Sequence, residues 1–377
     1  MIIQSTRVWI EEKFSPAQVK LERGIITALL PYNSQTPDQD YGDQKILPGL
    51  IDVHCHGYQG ITCNQATKEG INNWAKDLLK EGCTSFMATT STAAESDLLN
   101  SFPILADLIE HPEAGATILG IHVEGPQISP EFRGAQELTQ LQKPDVDQFI
   151  RWQSKADGQI KMIAIAPEMD EEHKLIKYCA SHGVKVCIGH SGASYEECLQ
   201  AEKDGATSFT HTFNGMRGLH HRNPGTAGAA LSEDNMYAEL IGDGVHVHFA
   251  VAKILARCKG KDKLILITDS VQVKGLQPGK YEKGLSVVEV KENGCAYLPD
   301  GRLAGSSNKL IDEVKKMITI AGADEVTVIN SATINPATYL GLGNKLGLIK
   351  ENYDADLIVI DDDYQVKQTY QKGIAKL

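Results

Sequence analysis

No stretch of this chain approaches the ~20 consecutive apolar residues of a membrane-crossing helix, and its start carries no signal-peptide pattern. A cytoplasmic location without a membrane partner is the expectation. Cys-x-x-Cys pairs are missing too: the eight cysteines (Cys55, Cys63, Cys83, Cys179, Cys187, Cys198, Cys258, Cys295) are scattered. In a long chain without an export pattern they read as free, mostly buried thiols rather than a disulfide framework. Positive charge is not in excess either, and the formal net charge of −12 disfavours nucleic acid and anionic membranes as partners. An anionic small substrate stays compatible with that sign, because a local cluster of cations can bind phosphate on an acidic protein. Solenoid-type repeats and low-complexity segments are also absent.

An apolar share of 42% beside 23% charged residues is that of an ordinary globular protein. At 377 residues the chain exceeds the ~100–200 of one compact domain, so one large barrel or two domains are expected. The middle of the sequence has a rhythm of short apolar runs, each followed by a helical pattern. Strands are expected near Ile51–His56, Thr84–Thr90, Ile118–Glu124, Ile160–Pro167, Val184–His190, Thr207–Phe213, Ala238–Gly244 and Leu264–Asp269. Eight βα units at a spacing of about thirty residues predict a (β/α)8 TIM-type barrel. Helices are expected over Ile71–Glu81, Glu171–His182 and Tyr195–Asp204, with Gly82, Gly183 and Gly205 as stops.

The two ends read differently. Met1–Glu12 is an amphipathic strand pattern with Arg7 and Trp9, and strands recur at Asp356–Ile360 and Val366–Gly373. A small β-sandwich domain built from both termini is therefore expected (residues 1–47 and 349–377), flanking a barrel over 48–348. A further β-rich insertion is expected at Gly279–Arg302, after the eighth strand.

Polar residues gather where the strands end. In such a barrel these ends surround one cavity, so function concentrates there. Strand one ends in His54-Cys55-His56, strand three in His122-Val123-Glu124, strand five in Gly189-His190-Ser191, strand six in Thr210-His211-Thr212, and strand eight in Thr268-Asp269-Ser270. Residues two apart share a face, so His54 and His56 can both turn inward. Any one of these histidines alone is more simply a hydrogen-bonded core residue. Imidazoles and carboxylates on five strand ends of one rim point instead to a divalent metal, with Zn2+, Fe2+, Mn2+ and Co2+ all suited to such donors. Water bound to that ion becomes a hydroxide nucleophile, and Asp269 is placed to act as general base and acid.

The ordered set resembles the amidohydrolase superfamily. Within it, the chain is similar to the deacetylases of N-acetylglucosamine 6-phosphate, on Leu47–Asp52, His211–Met216, His220–Gly225, Asp243–His246, Leu303–Ser306 and Asp354–Ile360 as well. The resemblance covers nearly the whole chain. It implies release of acetate from that sugar phosphate and a barrel with a small β-sandwich. It implies Glu124, His190 and His211 as main metal ligands, His54 and His56 as the site of a second ion, and Asp269 and His246 as catalytic groups. Substrate contacts are implied at Gln136, Asn214, Gly215, Arg222, His246 and Ala304, with Arg222 reaching a neighbouring subunit's site in a homodimer. Gln136 stands where the family often has histidine, Gly215 where alanine is common, and Ser306–Lys309 departs from the usual run.

Three rivals are weighed. A cyclic amidase calls for a bridging lysine at the end of strand four, where Ile165-Ala166-Pro167-Glu168 has none. A deacetylase for another N-acyl hexosamine phosphate, such as N-acetylgalactosamine 6-phosphate, cannot be separated by residue types. A non-catalytic sugar-phosphate-binding relative would have lost a ligand or the aspartate, and every such position is intact.

Overall fold

Eight short, almost fully buried segments form the centre of the protein: Leu50–Cys55, Cys83–Thr90, Thr117–Glu124, Ile160–Ile165, Lys185–Ile188, Ala206–Phe209, Tyr237–Ile241 and Leu264–Ile267. The computed structural model describes residues 1–283 and 286–377, and in it these strands pair in parallel, each with its neighbour in sequence. Strand eight returns to strand one through the site residues themselves: the Asp269 N–H donates to the His54 carbonyl, and the His56 N–H to that of Ser270. The expected barrel is present.

Alternation sets the two faces. On strand three, Ile121 and Val123 join a helix-facing apolar cluster with Trp74, Phe86, Phe102, Phe149 and Trp152, so His122 and Glu124 turn the other way. Burying each such large side chain contributes roughly 1.5–3 kcal/mol, which pins the register that aims Glu124 inward.

Helices Lys68–Lys80 and Tyr195–Asp204 match the periodic pattern, and Ser194 and Glu197 close the second with a reciprocal cap. Gly205 follows at a φ of 118°, where a Cβ is disfavoured. Glu171–His182 divides: a 3-10 turn at Glu171–His173 precedes the α-helix Lys174–Ser181, because Glu172 and His173 adopt positive φ.

Both termini build one eight-stranded sheet. Lys45–Pro48 sits inside it, antiparallel to Leu357–Ile360 on one side and parallel to Ile2–Ile10 on the other. The expected tail strand runs over Val366–Gln371. The β-rich insertion is a four-stranded antiparallel sheet (Gly279–Lys283, Ser286–Val290, Cys295–Tyr297, Leu303–Ser306), and Gly284 and Leu285 within its expected range lie outside the described residues.

One carboxylate tests how the terminal sheet is held. Burial pushes the Asp356 carboxyl up to about 6, against a hydrogen bond from the Lys372 N–H at 2.7 Å. A folded-state pKa above the unfolded value means the fold binds the proton more tightly. Stability from this group is present at low pH and lost as pH rises through about 6. Asp356→Asn keeps an acceptor for Lys372 and should flatten that slope, raising stability at pH 7 by on the order of 1–3 kcal/mol in denaturant melts.

Candidate active site

The apolar ladder stops before the polar rim in most strands. Strand five ends at Ile188, strand six at Phe209 and strand eight at Ile267, whereas the sequence pattern extends them to His190, Phe213 and Asp269. The cause is backbone conformation: His190, His211 and Asp269 have φ of 47°, 28° and 45°, so each chain leaves the ladder as it delivers its side chain. Non-glycine residues held there carry strain of order 1–3 kcal/mol each, which the surrounding packing must enforce.

The result is a tight knot of donors. Glu124 Oε1 lies 3.1 Å from His190 Nε2 and 2.9 Å from His211 Nε2, and those two nitrogens are 3.0 Å apart. Beside it, His56 Nε2 lies 3.2 Å from both His54 Nε2 and Asp269 Oδ1. Glu124 joins the two groups, with Oε1 3.5 Å from His54 Nε2 and Oε2 3.4 Å from His56 Nε2. Donors that share one ion at bonds of about 2.0–2.2 Å sit about 3–3.5 Å from one another, so both triads fit a divalent metal.

Ring orientation agrees. His190 Nδ1 donates to the Phe132 carbonyl at 2.9 Å, and His54 Nδ1 lies 3.0 Å from Glu239 Oε2, which leaves each Nε2 lone pair facing inward. Burial opposes charge on His54, yet Glu124, Glu239 and Asp269 outweigh it and lift its pKa to about 10. Asp269 is likewise held below the usual carboxylate range: burial opposes this, but the His56 hydrogen bond and the His54 charge prevail. A site that grips protons between carboxylates is one where a dication can replace them.

A cavity of about 920 Å³ opens over the donors and is lined by His246, Gln136, Asn214, Gly215 and Ala304 among others. Most of the expected site residues thus come together. Arg222 does not: its side chain is exposed, outside that lining, 2.8 Å from His221 Nε2. Gln136 reaches the cavity but also donates to Glu124 Oε2 at 2.6 Å while accepting the Thr92 N–H at 2.8 Å, a clamp on the carboxylate the sequence did not suggest. Gly215 matters more than an exchange with alanine implies. Its φ is 57°, and a Cβ there would come within 2.6 Å of His190 Nδ1. His122 packs edge-on against His54 at 4.8 Å and belongs to neither triad.

Two carboxylates were missed. Glu239 is fully buried on strand seven, where it meets His54 and accepts the His211 N–H at 3.1 Å. Asp243, just beyond the same strand, holds His246 Nδ1 at 2.6 Å. The available signal was a lone acidic residue inside the apolar run Tyr237–Ile241, and an aspartate three residues before a histidine.

Comparison with known proteins follows the same line. The sequence profile of the Amidohydrolase family matches residues 46–375. An N-acetylglucosamine-6-phosphate deacetylase of Bacillus subtilis (strain 168) is 36% identical over 346 residues, 91% of this chain and 87% of that one. An N-acetylgalactosamine-6-phosphate deacetylase of Escherichia coli O157:H7 is 30% identical over 376 residues, 99% and 98% of the two chains. The solved N-acetyl-D-glucosamine-6-phosphate deacetylase of Mycobacterium smegmatis superimposes with a TM-score of 0.94 at 28% identity, covering all of both chains. Its mutant was solved in complex with N-acetyl-D-glucosamine-6-phosphate. A barrel rim that converges imidazoles and carboxylates, a profile match over nearly the whole length and relatives above 30% identity lead to one conclusion: the chain belongs to the amidohydrolase family.

Proposed function

We propose that this enzyme removes the acetyl group from N-acetylglucosamine 6-phosphate, giving glucosamine 6-phosphate and acetate, as a cytoplasmic homodimer. The reading divides the chain into a catalytic barrel (48–348) and a small sheet domain from both termini. The observation that carries the chemistry is the pair of donor triads joined by Glu124 on the cavity floor. Glu124, His190 and His211 would hold one divalent ion, zinc or iron before manganese or cobalt, and His54 and His56 a second with Glu124 between them. When bound, the ion supplies Lewis acidity and acidifies an attacking water.

The chain's own groups do the rest. Asp269 takes a proton from the water with its carboxylate and returns it to the departing nitrogen, since an amide anion is too poor a leaving group. His246 Nε2, buried and without a hydrogen-bond partner among the described residues, faces the acetyl carbonyl and stabilises the negative charge that develops there. Asn214 and the Gly215 N–H hold the phosphate, Gln136 and Ala304 flank the sugar, and Arg222 from the neighbouring subunit completes the phosphate cradle with its forked guanidinium.

The galacto epimer is a second reading, supported by the relative named for that substrate. Acetate release from both epimers and from unphosphorylated N-acetylglucosamine tests the assignment. The phosphorylated gluco epimer should be preferred. Arg222→Ala should raise KM for it by about 10-fold or more with kcat nearly unchanged, because an anchor rather than a reacting group is removed. Equal turnover of the unphosphorylated sugar would refute the phosphate site.

A further inference from the structure

Asp243 takes five hydrogen-bond donors close to the cavity, and the reaction as described does not use it. It lies two residues past strand seven and is almost completely buried. Oδ1 accepts the N–H groups of Val245 and His246, both at 2.8 Å, which shapes the turn that carries His246. Oδ2 receives three side chains: His246 Nδ1 at 2.6 Å, Asn308 Nδ2 at 3.1 Å and the Cys295 thiol at 3.3 Å. Cys295 comes from the β-rich insertion after strand eight, and Asn308 lies two residues past the insertion's last strand, in the Ser306–Lys309 run that departs from the family pattern.

These contacts divide the imidazole into two ends. Nδ1 is committed to the carboxylate, so its proton and the ring plane are fixed from behind. Nε2 is buried, has no hydrogen-bond partner among the described residues, and belongs to a residue that lines the cavity. An ionised carboxylate on one ring nitrogen makes the other the atom that meets substrate, in one tautomer and one orientation. Burial alone would oppose charge on Asp243, but the His246 hydrogen bond and the backbone donors hold its carboxyl below the usual range. Two other titratable groups pack nearby. Glu313 accepts the Gly242 N–H at 2.8 Å and its carboxyl is pushed well above the usual carboxylate range by burial, while Lys316 Nζ reaches the Asp243 carbonyl at 3.5 Å.

We infer that Asp243 is the positioning residue for His246, and that Asn308 and Cys295 tie this carboxylate to the insertion, so that the insertion's seating sets the orientation of the ring. Cys295, Asp243 and His246 also lie close enough together to suggest an ion. The hydrogen-bonded arrangement is favoured, because Oδ1 and Oδ2 already take five donors and Nδ1 serves as one of them.

The inference rests on the deacetylase reading for its kinetic arm and is independent of it for its spectroscopic arm. In zinc-loaded enzyme carrying 15N-histidine, His246 should show a strongly downfield Nδ1 proton without any substrate. Asp243→Asn should abolish that signal and lower kcat by about 100-fold, with KM within about 3-fold and metal content unchanged. Asn308→Ala leaves the carboxylate in place. It should shift the signal and lower kcat by about 3- to 10-fold, and it decides the matter if the aspartate variant does not fold. A His246 proton unaffected by either substitution, or its absence in the parent enzyme because an ion occupies Nδ1, would overturn the inference. A parent enzyme that shows the signal yet releases no acetate contradicts the substrate reading and leaves the positioning role standing.

Discussion

Asp269→Asn should reduce kcat for acetate release by about 1,000-fold or more while leaving the fold and the Glu124–His190–His211 triad intact. The asparagine amide fills the same volume, so the bond between the Asp269 backbone N–H and the His54 carbonyl, which closes the barrel, is kept. What disappears is a carboxylate that sits 3.2 Å from His56 Nε2 and lines the cavity. An amide can neither take the proton from water nor give one to nitrogen, and general acid–base catalysis of this kind contributes about 10²–10⁴ in rate. Steady-state kinetics with metal analysis check it. Retained metal with KM little changed and kcat collapsed is the expected pattern, whereas near-normal kcat would remove Asp269 from the proton path.

Glu124→Gln should be the most damaging change to metal binding. Among the described residues Glu124 is the one that approaches all four of His54, His56, His190 and His211, and its negative charge balances what they bind. Its carboxyl is held far below the usual range: burial opposes ionisation, but the His190 and His54 charges prevail, so the site is built for an anion. Glutamine keeps the shape and the Gln136 contact but brings neutral oxygen and a competing N–H. Metal affinity should fall by more than about 100-fold, with turnover recovering only at high metal concentration. Calorimetric titration of metal-stripped enzyme reads this directly, and parent-like affinity would mean that the ion is held elsewhere.

How much of this was legible beforehand follows from the kind of signal each residue gives. His54, His56, Glu124, His190, His211 and Asp269 stand at the ends of apolar runs, and a polar residue that breaks such a run is visible in one dimension. The βα rhythm was equally plain, because buried parallel strands are continuous apolar segments. Strand lengths were less so. The turn to positive φ at His190, His211 and Asp269 has no side-chain signature, and the pattern simply ran on. Glu239 escaped for another reason: its meaning lies in the His54 ring it touches, far away in sequence, whereas Asp243 meets a ring only three residues on and left a signal that was weak but local. Gln136 shows the same limit, since nothing in its neighbours indicates that its amide spans from Thr92 to Glu124. Arg222 was placed by family likeness, and its side chain is exposed and outside the cavity lining of its own chain.

The central claim is a metal-dependent deacetylase, and acetate release from N-acetylglucosamine 6-phosphate before chelation, after it, and after restoring zinc, iron, manganese or cobalt tests it most directly. Fast release that stops on chelation and returns with added metal is the predicted result. Release indifferent to chelation, or none with any metal, would contradict the account.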